Sequence, residues 1–276
     1  MTLQTALLQG TQLLEEASVP VPRLTAEVLL SHALQHDRSY LYAHSDDELT
    51  ERAWIHYGRY LHERLKGKPT QYITGCQEFY GREFRVTRDV LIPRPETEHL
   101  VEAAIARIRP SQRALDVGTG SGAIAVSLAL ETQAQVYATD LSLPALCVAT
   151  WNARKLGVAV SFIASDLASA LADQSIDVLV SNPPYVPKSD QAGLQREVRD
   201  WEPEVALFGG DTGLEVYRRL VDDARRVLRR GGWLLVELGY NSLQPVRAML
   251  ASGWSESEVK YDLAGLPRVL AVRWTP

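Results

Sequence analysis

From about residue 112 onward the chain alternates short apolar runs with helical stretches, and this alternation restricts the fold more than any other feature. The runs at 114–117, 136–139, 160–164, 176–181 and 233–238 are apolar along nearly their whole length. That pattern suits strands buried on both faces. Helical stretches at 122–131, 143–156 and 214–230 separate most of them. Strand–helix alternation of this kind predicts a parallel sheet with helices on both faces. Two further strand-like segments, 256–262 and 268–274, are expected as an antiparallel pair at one edge, making seven strands.

With 276 residues the chain has room for one large domain or two ordinary ones, and 46% hydrophobic residues supply a core. The part before the alternation reads as a small helical bundle. Leu3, Ala6, Leu7, Leu13, Leu14 and Ala17 are read as one helical face, and Pro22 opens a second helix reaching residue 34. A short helix over 39–43 and a longer one over 47–65 complete it, and Gly67-Lys68-Pro69 ends it. Phe79 to Val86, two aromatic or β-branched stretches around Gly81, predicts a hairpin. The expected division is therefore a helical domain over 1–68, a hairpin linker over 69–90 and a main domain over 91–276.

Charge narrows the partners. The net charge of −5 provides no global field to recruit nucleic acid. Residues 1–50 carry two Arg against seven acids, whereas residues 51–88 carry eight bases against four acids. The basic stretch is a candidate protein-docking face, and solvated helix surfaces explain it equally well. Two cysteines, Cys76 and Cys147, have no metal-ligand spacing, so no metal is expected and a reducing compartment fits. Residues 1–18 lack a basic leader, and no apolar run is long enough to span a bilayer. A cytoplasmic monomer with no membrane partner and no stable nucleic-acid partner is expected.

Two loops carry the chemistry. Gly118-Thr119-Gly120-Ser121-Gly122 follows the first strand and opens a helix, with Asp116 two residues ahead of it. Ligands of such sheets lie beyond the carboxyl ends of the strands, where glycines permit close backbone approach. The G-x-G-x-G spacing favours S-adenosylmethionine over a dinucleotide without deciding the matter. Asp140, ending the second strand, suits the ribose hydroxyls of an adenosine, or the cap of the next helix. Asp166, ending the third, suits the adenine amino group, or a turn.

At the end of the fourth strand stands Asn182-Pro183-Pro184-Tyr185. A Pro-Pro turn explains the prolines and leaves the asparagine unexplained. A chemical reading uses every position. The Asn182 side-chain oxygen and the Pro183 carbonyl each accept one N–H of a planar nitrogen, so its lone pair is aimed at a methyl donor. The two prolines stiffen the loop, and Tyr185 offers a flat face to the substrate group.

This tetrapeptide is similar to that of methyltransferases acting on adenine N6, guanine N2 and glutamine N5. The segment Ile92-Pro93-Arg94-Pro95-Glu96-Thr97-Glu98, with Gln71 to Gly75, Phe79-Tyr80-Gly81, Glu202 to Leu207 and Asp262 to Gly265, resembles the release-factor glutamine methyltransferase family (PrmC, also called HemK). The resemblance implies a class I methyltransferase domain, Rossmann-like, behind a helical domain and a hairpin. It also implies S-adenosylmethionine as cofactor and N5-methylation of the Gly-Gly-Gln glutamine of class 1 peptide chain release factors. The family's cofactor residues fall on Gly118 to Gly122, Asp140 and Asn182, and its substrate loop on Asn182, Pro183, Pro184 and Tyr185. Arg94, Glu96 and Glu98 are either a wall of the substrate pocket or an ordered linker with helix capping. After Asp166 the family often has an aromatic residue against the adenine, and this chain has Leu167, which predicts weaker cofactor binding. Alternatives are an adenine N6 methyltransferase on DNA or RNA, a glutamine methyltransferase of a ribosomal protein, a nicotinamide-dependent oxidoreductase and a binding module retaining the fold.

Overall fold

The computed structural model describes residues 1–250 and 252–276. Two compact units are present: residues 1–76 with 195–201, and residues 77–194 with 202–276.

The first unit is helical: α1 (Leu3–Glu16), α2 (Pro22–Leu34), α3 (Arg38–Ala43), α4 (Glu51–Leu65) and α5 (Thr70–Thr74). Thr2, Asp37 and Thr50 cap α1, α3 and α4, their side chains accepting from Thr5, Tyr40 and Ala53 N–H groups. The cap at Thr50 starts α4 later than residue 47, and Asp47 instead pairs with His44. The buried stripe of α1 is Leu3, Ala6, Leu7, Gly10, Thr11 and Leu14. Leu13 and Ala17 are exposed: Leu13 falls off the i, i+4, i+7, i+11 spacing that Leu3, Leu7, Gly10 and Leu14 keep, and Ala17 is the C-cap residue past the end of the helix. Glu27, buried, accepts from Arg23 at 2.8 Å, Arg38 at 2.6 Å and the Tyr42 hydroxyl at 2.5 Å, so its charge is paired from three sides.

The second unit opens with the hairpin β1 (Cys76–Phe79) and β2 (Arg82–Arg85). Tyr80 and Gly81 between them both have positive φ, 51° and 68°, as a type I′ turn requires. Phe79 and Phe84 are buried in the unit's core, and Asn152 bonds both the N–H and the C=O of Arg85. The hairpin is thus part of this unit, where a separate linker over 69–90 was expected.

A 3-10 turn (Pro95–Thr97) leads into α6 (Glu98–Ile105). Then follow β3 (Arg113–Val117), α7 (Ala123–Glu131), β4 (Gln135–Asp140), α8 (Leu143–Lys155), β5 (Ser161–Ala164) and β6 (Ile176–Ser181). After β6 come α9 (Arg196–Trp201), which belongs to the first unit, α10 (Glu204–Leu207) and α11 (Glu215–Val227). β7 (Leu228–Glu237), α12 (Leu243–Met249), β8 (Trp254–Tyr261) and β9 (Pro267–Trp274) finish the chain.

The sheet order is β5-β4-β3-β6-β7-β9-β8, with β5 to β7 parallel and β9 antiparallel to both β7 and β8. The expected seven-stranded, mostly parallel class I methyltransferase sheet is therefore present. β7 begins five residues earlier than the apolar run at 233 implied, since Leu228 pairs with Ile176 before the ladder skips to Trp233. Side chains alternate across the sheet: Ala114, Val178, Val180 and Leu235 pack under α6 and α7, and Leu115, Leu179, Leu234 and Val236 pack under α11. Asp116 and Glu237 keep the same alternation and so fall on the α6 and α7 side. β3 lies between β4 and β6, so the strand order reverses at β3, and open α/β sheets place their ligands beyond the carboxyl ends at such a reversal.

Candidate active site

Three strand ends meet in register at that reversal, with Val117 opposite both Thr139 and Ser181. The loops that leave β3, β4 and β6 therefore emerge together. They enclose a cavity of about 240 Å³ lined by Gly118, Gly120, Asp140, Asp166, Leu167, Asn182 and Pro184 among others.

Gly118 and Gly120 have positive φ, 74° and 54°, and among the described residues nothing stands within 4 Å of where a Cβ would project. Their backbone faces open space that a ligand can approach. Gly122 has a different task. It starts α7, and a Cβ there would meet Ala149 at 3.0 Å, so it permits α7 to pack against α8. Thr119 and Ser121 are buried and line no part of the cavity. The Thr119 hydroxyl donates to Asp116 at 2.6 Å, and the Ser121 carbonyl accepts from Asn152 at 2.8 Å. Asn152 thus ties the glycine loop and the hairpin to one side chain.

Asp140 accepts from the Gly120 N–H at 2.8 Å and the Ser142 N–H at 2.8 Å, one bond on each oxygen. The cap of α8 is Ser142, whose hydroxyl accepts from Ala145. Asp140 is left with a free lone-pair direction on each oxygen, the requirement for receiving two vicinal hydroxyls. Asp166 lies at the cavity and pairs with Arg219 at 2.6 Å, a partner on α11 that sequence reasoning missed. Leu167 also lines it, with φ of 49°, a strained value for a leucine.

The Asn182 loop is held by glycines that the sequence does not mark as functional. A Cβ on Gly209 would stand 2.4 Å from the Pro184 carbonyl oxygen, and one on Gly213 would stand 2.3 Å from that of Tyr185. On Gly239 it would stand 2.6 Å from the Tyr185 ring. Val186 donates to Leu207 and accepts from Gly209, fixing the far end of the loop. Tyr185 is half-buried, and burial pushes its phenol up to about 12. Asn182 donates from Nδ2 to the Thr97 hydroxyl at 3.2 Å, and Asn182 is one of the residues lining the cavity. The 92–98 segment thereby touches the site through Thr97, a residue the sequence analysis did not single out.

Its charged members have other partners. Arg94 pairs with buried Glu202 at 2.5 Å, Glu98 accepts from the Tyr80 N–H at 2.8 Å, and Glu96 lies 3.9 Å from Arg268. These contacts fit the ordered-linker reading, and none of the three lines the cavity.

Two buried acids near the site have no role in the sequence reading, Asp116 noted there only for its place and Glu237 not at all. Asp116 is fully buried and pushed up to about 7 by desolvation, only partly offset by bonds from Thr119 and the Ala125 N–H. Its Oδ1 has no hydrogen-bond partner among the described residues. Glu237, at the end of β7, is likewise pushed up to about 7 by burial. The signal for the first was its place two residues before Gly118. For the second it was a lone acid closing an apolar strand.

Known proteins give the same picture. The PrmC N-terminal domain matches residues 5–75, and the methyltransferase small domain matches residues 96–197. A "Release factor glutamine methyltransferase" of Koribacter versatilis is 45% identical over 99% of this chain and 99% of its own. One from Nitratidesulfovibrio vulgaris is 43% identical over 99% and 95%. Among solved structures, the E. cuniculi Mtq2-Trm112 complex, described as responsible for methylation of the eRF1 translation termination factor, is 26% identical with a TM-score of 0.50. That match covers 68% of this chain and 99% of the other. With near-complete coverage at such identity, and with the sheet, glycine loop and Asn-Pro-Pro-Tyr loop in place, the chain belongs to the release factor glutamine methyltransferase family of class I methyltransferases.

Proposed function

We propose that this chain methylates the side-chain N5 of the Gly-Gly-Gln glutamine of class 1 peptide chain release factors, with S-adenosylmethionine as donor. The observation that carries the reading is the shared cavity: Asn182 and Pro184 line the same space as Gly118, Gly120 and Asp140. The residues present fit the cofactor. Asp140 has acceptors for ribose hydroxyls, the open glycine backbone admits the chain of the molecule, and Leu167 and Phe208 offer apolar cover. When bound, S-adenosylmethionine supplies an electrophilic methyl on a positively charged sulfur.

The rest is positioning by the chain. An amide nitrogen is a poor nucleophile because its lone pair is delocalised into the carbonyl. Asn182 Nδ2 is committed to Thr97, so Oδ1 is the end of that amide offered to an incoming N–H. The Pro183 carbonyl takes the second N–H. As the nitrogen becomes tetrahedral and more acidic, both bonds strengthen, which favours the transition state over the ground state. No strong base is needed before transfer, and holding the nitrogen in line contributes roughly 7–11 kcal/mol in favourable cases.

The test is methyl transfer from labelled cofactor to a purified release factor whose Gly-Gly-Gln glutamine is intact or changed to glutamate. Label on the intact protein alone is expected; label on both or on neither overturns the proposal. Asn182→Ala is expected to abolish turnover while weakening cofactor binding only modestly.

A further inference from the structure

Past the end of the β7–β9 ladder, the Leu238 N–H still donates to the Arg268 carbonyl at 2.8 Å. Beyond that bond the chain leads into two separate loops, 239–242 and 262–266, with a cavity of about 210 Å³ between them. Gly239, Tyr240 and Gln244 line it from one side, and Leu266, Pro267 and Arg268 from the other. Because β7 runs parallel to β6, its carboxyl end brings this cavity to the same sheet edge as the active site. Gly239 joins the two, since it lines the cavity and a Cβ on it would stand 2.6 Å from the Tyr185 ring. We infer that this cavity is a second substrate subsite, which receives an apolar side chain of the release factor from a residue flanking the target glutamine. The inference rests on the release-factor reading above.

Reach, charge and size select that occupant. With one glycine between the Tyr185 ring and the cavity, a glutamine seated against Tyr185 has its sequence neighbours close by, since each residue of extended chain spans about 3.3–3.6 Å. Arg268 is the one charged residue lining the cavity among the described residues, and its Nε donates to the Asp262 carboxylate at 2.7 Å. The pair is neutral as a whole, so the cavity favours neither an anion nor a cation. Its volume falls below the roughly 300–1,000 Å³ of small-molecule sites and suits a side chain better than a free metabolite. The two glycines of the target motif have no side chains to recognise, so contacts beyond the glutamine must come from residues outside the motif.

The wall formed by 262–268 is held in shape by its own bonds. The Asp262 carboxylate accepts from the Ala264 and Leu266 N–H groups, both at 2.9 Å, besides Arg268. The Gly265 N–H donates to the Asp262 carbonyl at 3.0 Å, and the Asp262 N–H to that of Leu266 at 2.9 Å. This closed loop keeps Leu263 fully exposed and Leu266 38% exposed, and Tyr240 across the cavity is 81% exposed. Apolar side chains on a fixed loop lose little further freedom when a partner binds, and tyrosines are frequent anchors of such contacts. Asp262 to Gly265, which take no part in methyl transfer, shape this subsite.

The experiment compares Tyr240→Ala and Leu266→Ala in the full chain, by steady-state methylation of purified release factor with cofactor Kd measured separately. Tyr240 is exposed enough that its loss leaves the core intact. KM for the release factor is expected to rise roughly 10-fold in each, the scale on which an apolar pocket discriminates, with kcat and cofactor Kd within about twofold of the parent. In the release factor, each apolar residue within a few positions of the glutamine is changed in turn to serine. One such change should raise KM with the parent enzyme and add little with Tyr240→Ala, the non-additivity of two groups in contact. KM near the parent value in both enzyme variants overturns the subsite, as does additivity for every release-factor change. A dimer that becomes a monomer in Tyr240→Ala at unchanged KM assigns the patch to a second copy of this chain and overturns it likewise. The release-factor reading fails separately, if the parent enzyme transfers no label to the intact release factor.

Discussion

Gly239→Ala isolates the seating of Tyr185 from every other property of the site. Gly239 has no positive φ, so alanine brings no backbone strain there. The whole effect is steric: the new Cβ would stand 2.6 Å from Tyr185 Cδ2, 2.9 Å from Cγ and 3.1 Å from the Ser242 hydroxyl. Carbon atoms rest at about 3.5–4.0 Å, so the ring must retreat by about 1 Å. Overpacking of this size costs roughly 1–3 kcal/mol in stability. Its effect on catalysis is larger, since a displacement of about 1 Å next to the reacting group can cost 10²-fold. Gly239 lies away from the cavity lined by Gly118 and Asp140, so cofactor binding should be spared. Release-factor methylation with labelled cofactor gives kcat, and calorimetric titration gives cofactor Kd. A kcat loss of about 10²-fold with unchanged Kd is expected. Parental kcat, or a parallel loss of cofactor affinity, would refute the claim that this glycine serves the tyrosine.

Three further outcomes are expected. Gly10→Ala should lower Tm although alanine favours a helix by about 1 kcal/mol, because its Cβ would fall 1.9 Å from the buried Tyr57 hydroxyl; a raised Tm would show that Tyr57 moves freely. Asp116 keeps its proton to about pH 7 when folded but releases it near pH 4 when unfolded, so stability should fall as pH rises between those values and level off above. Asp116→Asn, which retains an acceptor for Thr119 and Ala125, should therefore exceed the parent in Tm at pH 8 and converge with it near pH 4; equal Tm at pH 8 would contradict the burial argument. Leu167→Trp should tighten cofactor binding about 2- to 10-fold through ring stacking worth about 0.5–1.5 kcal/mol, and a titration showing no gain would remove Leu167 as a determinant of affinity.

What could be read from the sequence were features with local signals. The buried strands announced themselves as apolar runs, the glycine loop by its spacing, and the substrate loop by two adjacent prolines. Elements shorter than two turns, such as α5, α10 and α12, show no usable period and went unread. Leu13 was placed inside because it is hydrophobic, whereas geometry gave its place to Gly10, which has no side chain to betray it. The supporting cast of the site was hidden by distance along the chain. Thr97 meets Asn182 across 85 residues, and Asn152 meets Arg85 across 67. Gly209, Gly213 and Gly239 matter only for what they lie against, and nothing in the sequence brings Tyr185 beside them.

The helix α9 carries a lesson for anyone recombining members of this family. It is encoded after the substrate loop yet folds with the first 76 residues, where Glu197 meets the buried guanidinium of Arg64 at 2.5 Å. Deleting one partner of such a pair strands the other without compensation. A chimaera that exchanges residues 1–76 alone would inherit a foreign seat for residues 195–201, and a truncation starting at residue 77 would leave that seat missing. The heritable module is therefore discontinuous, and its second piece travels inside the gene segment of the catalytic unit.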